Sequence, residues 1–191
     1  MKIILLYAIL NLFFLSLFAQ KTPSCLIKTS LGDIRVDLYP DLAPLTVANF
    51  LKYADQHLYD GTFFYRVCTP ENEKERKVKI EVIQGGDVPE AKQFDPIRME
   101  TTKQTGLKHQ NGTLSMARDT PDSATSSFFI CIGNQPELDF AGKRNPDGQG
   151  FAAFGKVTKG MHVVKKIQLQ ENKDQYLVSP VKIHSIQRLY P

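Results

Sequence analysis

The feature that most constrains the fold is a succession of short strand-like runs separated by turn residues. Residues 26–29 and 34–38 alternate apolar and polar side chains around Gly32-Asp33, a pattern that predicts a β-hairpin. Similar runs cover residues 62–67, 78–83, 112–117, 127–132, 151–157 and 181–189. Glycine, proline, asparagine and aspartate, which favour turns, lie between them. The sequence therefore predicts a mostly β fold.

Two other segments have the spacing of amphipathic helices. Ala43-Pro44 suits a helix start, and apolar residues then recur at helical intervals: Val47, Phe50, Leu51, Ala54 and Leu58. Within residues 160–168, one side of the predicted helix is apolar: Met161, Val164 and Ile167. Many short strands with two helices predict a closed β-barrel with helical lids. No repeat or linker divides residues 24–190, which we predict to be one domain.

The first 19 residues have the layout of a secretory signal peptide. Lys2 precedes an apolar stretch over residues 3–18, and Ala19 suits the position before a cleavage site. Leu17 stands where a small residue is preferred, which leaves an uncleaved membrane anchor as the alternative. The stretch is shorter than the roughly 20 residues of a spanning helix, which favours cleavage. The predicted location is outside the cytoplasm: periplasmic, in the cell envelope or secreted.

Composition and motif content exclude several functions. A formal net charge of +4 is too small to indicate nucleic-acid binding. No G-x-S-x-G, G-x-x-x-x-G-K or H-E-x-x-H motif occurs, and the histidines lack a metal-ligand spacing. Cys25, Cys68 and Cys131 are odd in number and form no C-x-x-C pair, so one disulfide is the most that the sequence leaves open. Mixed charges in residues 70–81 predict a solvated surface insertion.

Six segments indicate a family resemblance. They are FFYRV at 63–67, IQGGD at 83–87, GTLSMAR at 112–118, SSFFI at 126–130, LD at 138–139 and GFAAFGKV at 150–157. In this order they resemble the signature segments of the cyclophilins. One such motif is weak, whereas six in register cover nearly the whole chain after the leader. The resemblance implies a cyclophilin-type peptidyl-prolyl cis-trans isomerase of the bacterial exported type.

The resemblance also implies a fold and a catalytic residue. Its members are closed eight-stranded antiparallel β-barrels capped by two α-helices, with a shallow groove that holds a substrate proline. Arg66 matches the catalytic arginine, and Gln84 matches a glutamine that steadies this arginine and binds the substrate backbone. A guanidinium that donates to the prolyl nitrogen favours the twisted amide over the planar one, so it lowers the rotation barrier. No cofactor is required, because no bond is made or broken.

The resemblance further assigns a substrate-binding set. Val82, Phe129 and Leu138 match the apolar walls of the proline pocket. Ala117 and Arg118 match the strand edge that pairs with the substrate backbone. The complete predicted set is Phe64, Val82, Met116, Ala117, Arg118, Ser127, Phe129, Leu138 and Phe151. The expected partners are proline-containing polypeptides, with no nucleic acid and no metal, and we expect a monomer that meets the membrane only through an uncleaved leader.

Several positions depart from the best-known cyclophilins. Val82 replaces a methionine, Ser127 a glutamine and Phe151 a histidine. Glu137 replaces a tryptophan whose indole donor matters for cyclosporin, so the sequence predicts weak sensitivity to that drug. Glu81 falls near a position where phenylalanine is usual, and a carboxylate there would repel apolar substrate or pair with Arg66.

Two functional hypotheses follow from these matches and departures. The first is an active isomerase that assists the folding of exported polypeptides, which the matches at Arg66, Gln84 and Phe129 favour. The second is a proline-peptide-binding or chaperone-like module that has kept the barrel but does not catalyse. The altered residues Ser127, Glu137 and Glu81 favour this second hypothesis.

Overall fold

The strands and helices follow the order that the alternation of apolar residues predicts. The computed structural model describes residues 22–189. Its elements are β1 (Ser24–Thr29), β2 (Gly32–Leu38), α1 (Pro44–Asp55), β3 (Phe63–Cys68), β4 (Val82–Gly85), α2 (Thr102–Thr105), β5 (Thr113–Met116), β6 (Phe128–Cys131), β7 (Ala152–Lys159), α3 (Met161–Gln168), β8 (Asn172–Lys173) and β9 (Tyr176–Leu189). The predicted leader, residues 1–19, lies outside the described residues, as does residue 190. Among the helices described, none combines the length and apolar character that a membrane crossing needs.

Eight of the strands form a closed antiparallel barrel. The hydrogen-bonded order is β1-β2-β7-β5-β6-β4-β3-β9, and β1 pairs with β9 to complete the circle. Closure leaves no free edge among these eight strands. The predicted fold class is confirmed, and β8 and α2 are short additions to it.

Two hydrophobic clusters lie on opposite faces of the sheet. The inner cluster fills the barrel and the space beneath α1 and α3, and it includes Phe50, Phe64, Phe128 and Phe154. The outer cluster lies on β3, β4 and β6, and its buried members are Cys68, Ile80, Val82, Phe129, Cys131 and Leu138. Side chains alternate between the two faces of a strand, so Phe128 points inward and Phe129 outward. The outer cluster gives the barrel an apolar surface on one side.

Helix α1 begins at Pro44 as predicted, but its cap comes from a distant residue. Ala43 has no side chain that could accept the first amide groups of the helix. The carboxylate of Glu100 accepts hydrogen bonds from the Leu45 amide at 3.1 Å and the Thr46 amide at 2.8 Å. A negative charge at this end of a helix is also favoured by the helix dipole. The segment around Glu100 is thereby fixed to the start of α1.

Two strand boundaries differ from the predicted ones by four or five residues. Residues 78–81 are not part of β4, because Ile80 packs into the outer cluster and its amide donates to the buried carboxylate of Glu73 at 2.8 Å. Strand β9 begins at Tyr176, before the predicted residue 181, and pairs with β8. Asp174 and Gln175 form the turn between them with φ angles of 50° and 76°. Two consecutive positive φ angles are typical of a tight hairpin turn.

The three cysteines are buried free thiols rather than disulfide partners. Burial raises the pKa of Cys25 to about 12 and that of Cys68 to about 11. The pKa of the Cys131 thiol is also raised by burial. The disulfide that the sequence left open is therefore absent from the described residues.

Candidate active site

An open groove runs over the outer hydrophobic cluster and brings together most of the predicted site residues. Its lining includes nine of the eleven: Arg66, Gln84, Val82, Ala117, Arg118, Ser127, Phe129, Leu138 and Phe151. They come from β3, β4, β6 and the segments after β5 and before β7. Residues that are far apart in the sequence thus meet on one face of the barrel.

Phe64 and Met116 do not belong to this set. Both are fully buried, and both pack in the inner cluster. The Phe64 ring meets the edge of Phe128 at 5.8 Å between ring centroids. Their strands turn these side chains toward the barrel interior, so the assignment of Phe64 and Met116 to the substrate surface is corrected. They support the sheet from behind.

An irregularity in β3 places two consecutive side chains on the groove. The register with both β4 and β9 shifts between Phe64 and Arg66. Strict alternation would point Tyr65 and Arg66 to opposite faces, whereas both line the groove. Tyr65 is therefore a groove residue that the sequence-based prediction missed. Its hydroxyl accepts a hydrogen bond from Gln84 Nε2 at 2.7 Å.

The Arg66 guanidinium is held by neutral amides. Its Nη1 donates to Gln84 Oε1 at 2.7 Å. Its Nε and Nη2 donate to Gln175 Oε1 at 2.9 and 2.5 Å. A guanidinium has five N–H groups, so two more can serve a substrate. Within residues 22–189 no carboxylate forms an ion pair with Arg66.

Gln175 is a second functional residue that the sequence-based prediction missed. It lies in the β8–β9 turn, 109 residues from Arg66 in sequence. Its Nε2 donates to Glu73 Oε1 at 3.3 Å, which orients the amide so that its oxygen faces Arg66. The turn residues predict a hairpin, but no sequence signal connects this hairpin to Arg66.

The floor of the groove beside Arg66 is apolar. The Phe129 and Phe151 rings meet edge to face with centroids 5.3 Å apart. Val82 and Leu138 complete this floor from β4 and from the turn that precedes Asp139. Such a surface can bury a proline ring, because burial of apolar area is favourable and needs no directional bond.

The backbone beside the floor has free hydrogen-bonding groups. The Ala117 amide donates to the Ser127 carbonyl at 2.9 Å. In the part of the chain that the structure describes, the Ala117 carbonyl and the Arg118 amide have no backbone partner. Both can pair with an extended peptide, as strand addition requires.

The comparison with known proteins agrees with this geometry. The family model described as "Cyclophilin type peptidyl-prolyl cis-trans isomerase/CLD" matches residues 25–188. The chain belongs to the cyclophilin family. Peptidyl-prolyl cis-trans isomerase of Acinetobacter baylyi is 38% identical over 173 residues, which cover 84% of this chain and 82% of that protein. Peptidyl-prolyl cis-trans isomerase B of Escherichia coli is 39% identical over 145 residues, covering 73% of this chain and 80% of that protein.

Solved structures show the same cyclophilin fold. The crystal structure of a Cryptosporidium parvum cyclophilin type peptidyl-prolyl cis-trans isomerase has a TM-score of 0.72 at 22% sequence identity. The match covers 89% of this chain and 99% of that chain. The closed barrel with its helices is therefore the fold of the family.

The Arg118 side chain of this cyclophilin forms hydrogen bonds with the loop that contains Asp147 and Gly150. It is 2% exposed and donates to both carboxylate oxygens of Asp147, at 2.7 and 2.9 Å, and to the Gly150 carbonyl. The hydrogen bonds from Arg118 lower the pKa of Asp147. The guanidinium also lies 5.2 Å from the Phe151 ring centroid. The side chain thus supports Phe151, while the Arg118 backbone remains available to a peptide.

Two acidic departures from other cyclophilins lie away from the groove. A Glu81 carboxylate oxygen accepts a hydrogen bond from Gln168 Nε2 of α3 at 3.3 Å. Glu137 accepts the Lys143 amide at 2.8 Å within its own loop. Neither residue is part of the groove lining. The expectation that Glu81 would repel the substrate or pair with Arg66 is not met.

A buried polar layer supports Phe129 from below. The His109 ring stacks on Phe129 with centroids 5.9 Å apart. His109 Nδ1 lies 2.8 Å from Asp139 Oδ1, and His109 Nε2 lies 3.0 Å from Ser115 Oγ. Burial lowers the pKa of His109, so the neutral ring donates to Asp139 and accepts from Ser115. Ser115 is fully buried, so this serine-histidine-aspartate set serves packing rather than nucleophilic catalysis.

The charged segment 70–81 is anchored and not simply solvated. Glu73 is 1% exposed, and both of its carboxylate oxygens accept hydrogen bonds from the Arg144 guanidinium. Burial by itself would raise the pKa of Glu73, but the hydrogen bonds from Arg144 and from the Ile80 amide outweigh it and lower this pKa. The sequence-based description of a solvated insertion is therefore corrected at Glu73, although most of the neighbouring charged side chains are exposed.

Proposed function

We propose that this chain is a peptidyl-prolyl cis-trans isomerase that assists the folding of exported polypeptides. The observation that carries the catalytic part is the Arg66 guanidinium, which three hydrogen bonds to neutral amides hold beside an apolar floor. The expected substrates are X-Pro segments in extended or partly folded chains.

The barrier to rotation about a peptide bond is about 18–20 kcal/mol because resonance keeps the amide planar. In the twisted state the prolyl nitrogen becomes pyramidal and its lone pair can accept a hydrogen bond. Arg66 has N–H groups left for this acceptor, and they bind the twisted state more tightly than the planar one. An interaction that is stronger in the transition state accelerates the reaction.

The rest of the groove holds the two sides of the bond. Phe129, Leu138 and Val82 bury the proline ring, while the backbone groups of Ala117 and Arg118 pair with the residues next to it. When the ring is fixed, the remainder of the peptide rotates. This division explains why the site needs no nucleophile and no cofactor.

Export is the part of the proposal that rests on residues 1–19. Lys2, the apolar stretch and Ala19 support a cleaved signal peptide. Cell fractionation together with N-terminal sequencing of the native protein tests this part. A mature chain that begins near residue 20 supports export, whereas full-length protein in the cytoplasmic fraction contradicts it.

The catalytic part is tested by the cis-to-trans rate of a short Ala-Pro peptide with the purified protein. We expect an acceleration that Arg66→Ala removes. Arg35→Ala, an exposed arginine on β2, is the matched control and should keep the acceleration. Binding of the peptide by a folded protein without any acceleration would favour the non-catalytic binding module.

A further inference from the structure

Two residues of opposite charge line the groove from segments that precede and follow β4 in the sequence. Arg76 is an exposed residue that lines the groove from the segment before β4. Within the described residues its guanidinium has no side-chain hydrogen bond and no ion pair. Asp87 lines the groove just after β4, and its carboxylate accepts only the Ser127 hydroxyl at 3.2 Å. Both charges therefore remain available to a ligand.

Two other arginines of the groove already form ion pairs with carboxylates of the protein. Arg144 pairs with buried Glu73, and Arg118 pairs with Asp147. Arg66, whose partners are neutral amides, lies on β3 opposite Gln84 of β4. Besides Arg66, the groove arginine that forms no ion pair within residues 22–189 is Arg76, and the groove carboxylates without an ion pair are Asp87 and Asp119.

The length of β4 indicates how long a peptide must be to extend along this part of the groove. Strand β4 has four residues, so it is about 13 Å long at about 3.3 Å per residue. Arg76 lies six residues before this strand in an irregular segment, and Asp87 lies two residues after the strand. A peptide of about five residues with its proline beside Arg66 reaches past both ends of the strand.

We propose that the groove selects X-Pro segments whose flanking residues carry opposite charges, with the acidic residue at Arg76 and the basic residue at Asp87. This inference rests on the proposed isomerase function and specifies its substrate class. A bound peptide has one direction in the groove, so only one order of the two charges along the sequence fits. With the two charged residues exchanged, the acidic residue lies near Asp87 and the basic residue near Arg76, so like charges repel.

The test compares three blocked peptides: Glu-Ala-Pro-Ala-Lys, Lys-Ala-Pro-Ala-Glu and Ala-Ala-Pro-Ala-Ala. The first two have the same composition and net charge, so their ratio reports only the order of the charges. NMR exchange spectroscopy gives kcat/KM for each. We expect one charged order to exceed the other by about two- to fivefold at low salt, the range of exposed ion pairs. Added salt should reduce the ratio.

Two variants test whether Arg76 and Asp87 cause the difference in kcat/KM between the charged peptides. Arg76→Gln and Asp87→Asn should each bring the ratio of the charged peptides closer to one. Lys77→Gln, an exposed neighbour that does not line the groove, is the matched control and should leave the ratio unchanged. A ratio that Arg76→Gln leaves unchanged would overturn the assignment of the acidic side chain to Arg76.

The outcomes separate this inference from the proposed function. Acceleration of all three peptides at equal rates overturns the charge selection and leaves the isomerase function standing. If no peptide is accelerated, the proposed isomerase function is wrong. The charge selection is then tested by the dissociation constants of the two charged peptides, which NMR titration of labelled protein measures. Equal constants overturn it, and unequal constants that Arg76→Gln equalises support it.

Discussion

At the scale of single residues, the hydrogen-bond partners of Arg66 determine whether its positive charge is neutralised before a substrate binds. Gln84 and Gln175 fix the guanidinium through three hydrogen bonds without neutralising it. A carboxylate in either position would pair with the cation and weaken its interaction with the prolyl nitrogen. Neutral amides therefore combine a fixed orientation with an undiminished charge.

Gln175 is expected to act as a positioning residue for Arg66. Asn tolerates the positive φ of this turn, but its shorter side chain does not reach the guanidinium. Loss of hydrogen bonds to a charged group, worth about 1.5 kcal/mol, is expected to lower kcat roughly tenfold in Gln175→Asn. KM and the melting temperature should change little. A raised KM with unchanged kcat would show that Gln175 serves binding instead.

At the scale of elements, the polar layer beneath Phe129 makes stability depend on pH. Burial lowers the pKa of His109 from its ordinary value of 6.5. Below that value the unfolded chain takes up a proton that the folded chain resists, so the unfolded state is favoured. The free energy of unfolding is therefore expected to fall as the pH drops below about 6.5, by up to about 1.4 kcal/mol per pH unit.

His109→Asn separates this effect from other titrating groups. Its amide can still donate to Asp139, but it does not titrate. Urea unfolding at pH 7.5 and pH 5 should show a smaller loss of stability in this variant than in the unmodified protein. Asp139, whose pKa is lowered because hydrogen bonds from His109 outweigh its burial, contributes only below about pH 4. An equal loss in both proteins would contradict the assignment to His109.

The segment 70–81 is expected to depend on one buried ion pair. Glu73→Gln leaves the Arg144 guanidinium, whose side chain is 7% exposed, without its counter-charge. Removal of one partner from a buried pair typically costs about 3–5 kcal/mol. Urea unfolding measures this cost, and hydrogen exchange should show faster exchange at the Ile80 amide. The double variant Glu73→Gln/Arg144→Met should regain part of the stability, and a double variant no better than the single one would contradict a charge effect.

At the scale of the whole molecule, the sequence was informative where local pattern determines structure. Alternation of apolar residues predicted the barrel strands, and Pro44 with its helical spacing predicted α1. The family motifs located Arg66, Gln84 and Phe129 on one face. Phe64 and Met116 were misassigned because the motif gives residue identity but not the face of the strand.

The remaining errors have a common physical cause. Gln175 and Glu73 act through contacts that join residues 109 and 102 positions apart. The hairpin pattern around Gln175 does not predict these contacts. The charge pattern around Glu73 does not predict them either. Tyr65 was missed because an irregularity in β3 interrupts the alternation on which the prediction depended. Tertiary contacts decided each of these cases.

The openness of the groove also matters at this scale. The groove lies on the outer face of a closed barrel, so a proline in the middle of a long chain can enter without threading. Burial raises the pKa of all three cysteine thiols, so little thiolate is available for disulfide exchange.

The central claim is that Arg66 acts on the twisted amide and not on the bound ground state. Measurement of kcat and KM for Arg66→Lys tests this most directly, because lysine keeps the charge but loses the planar fork and its hydrogen bonds to both glutamines. We expect kcat to fall about 100-fold, as for loss of a transition-state donor, with KM changed by less than about threefold. An unchanged kcat with a raised KM would contradict the account and make Arg66 a binding residue.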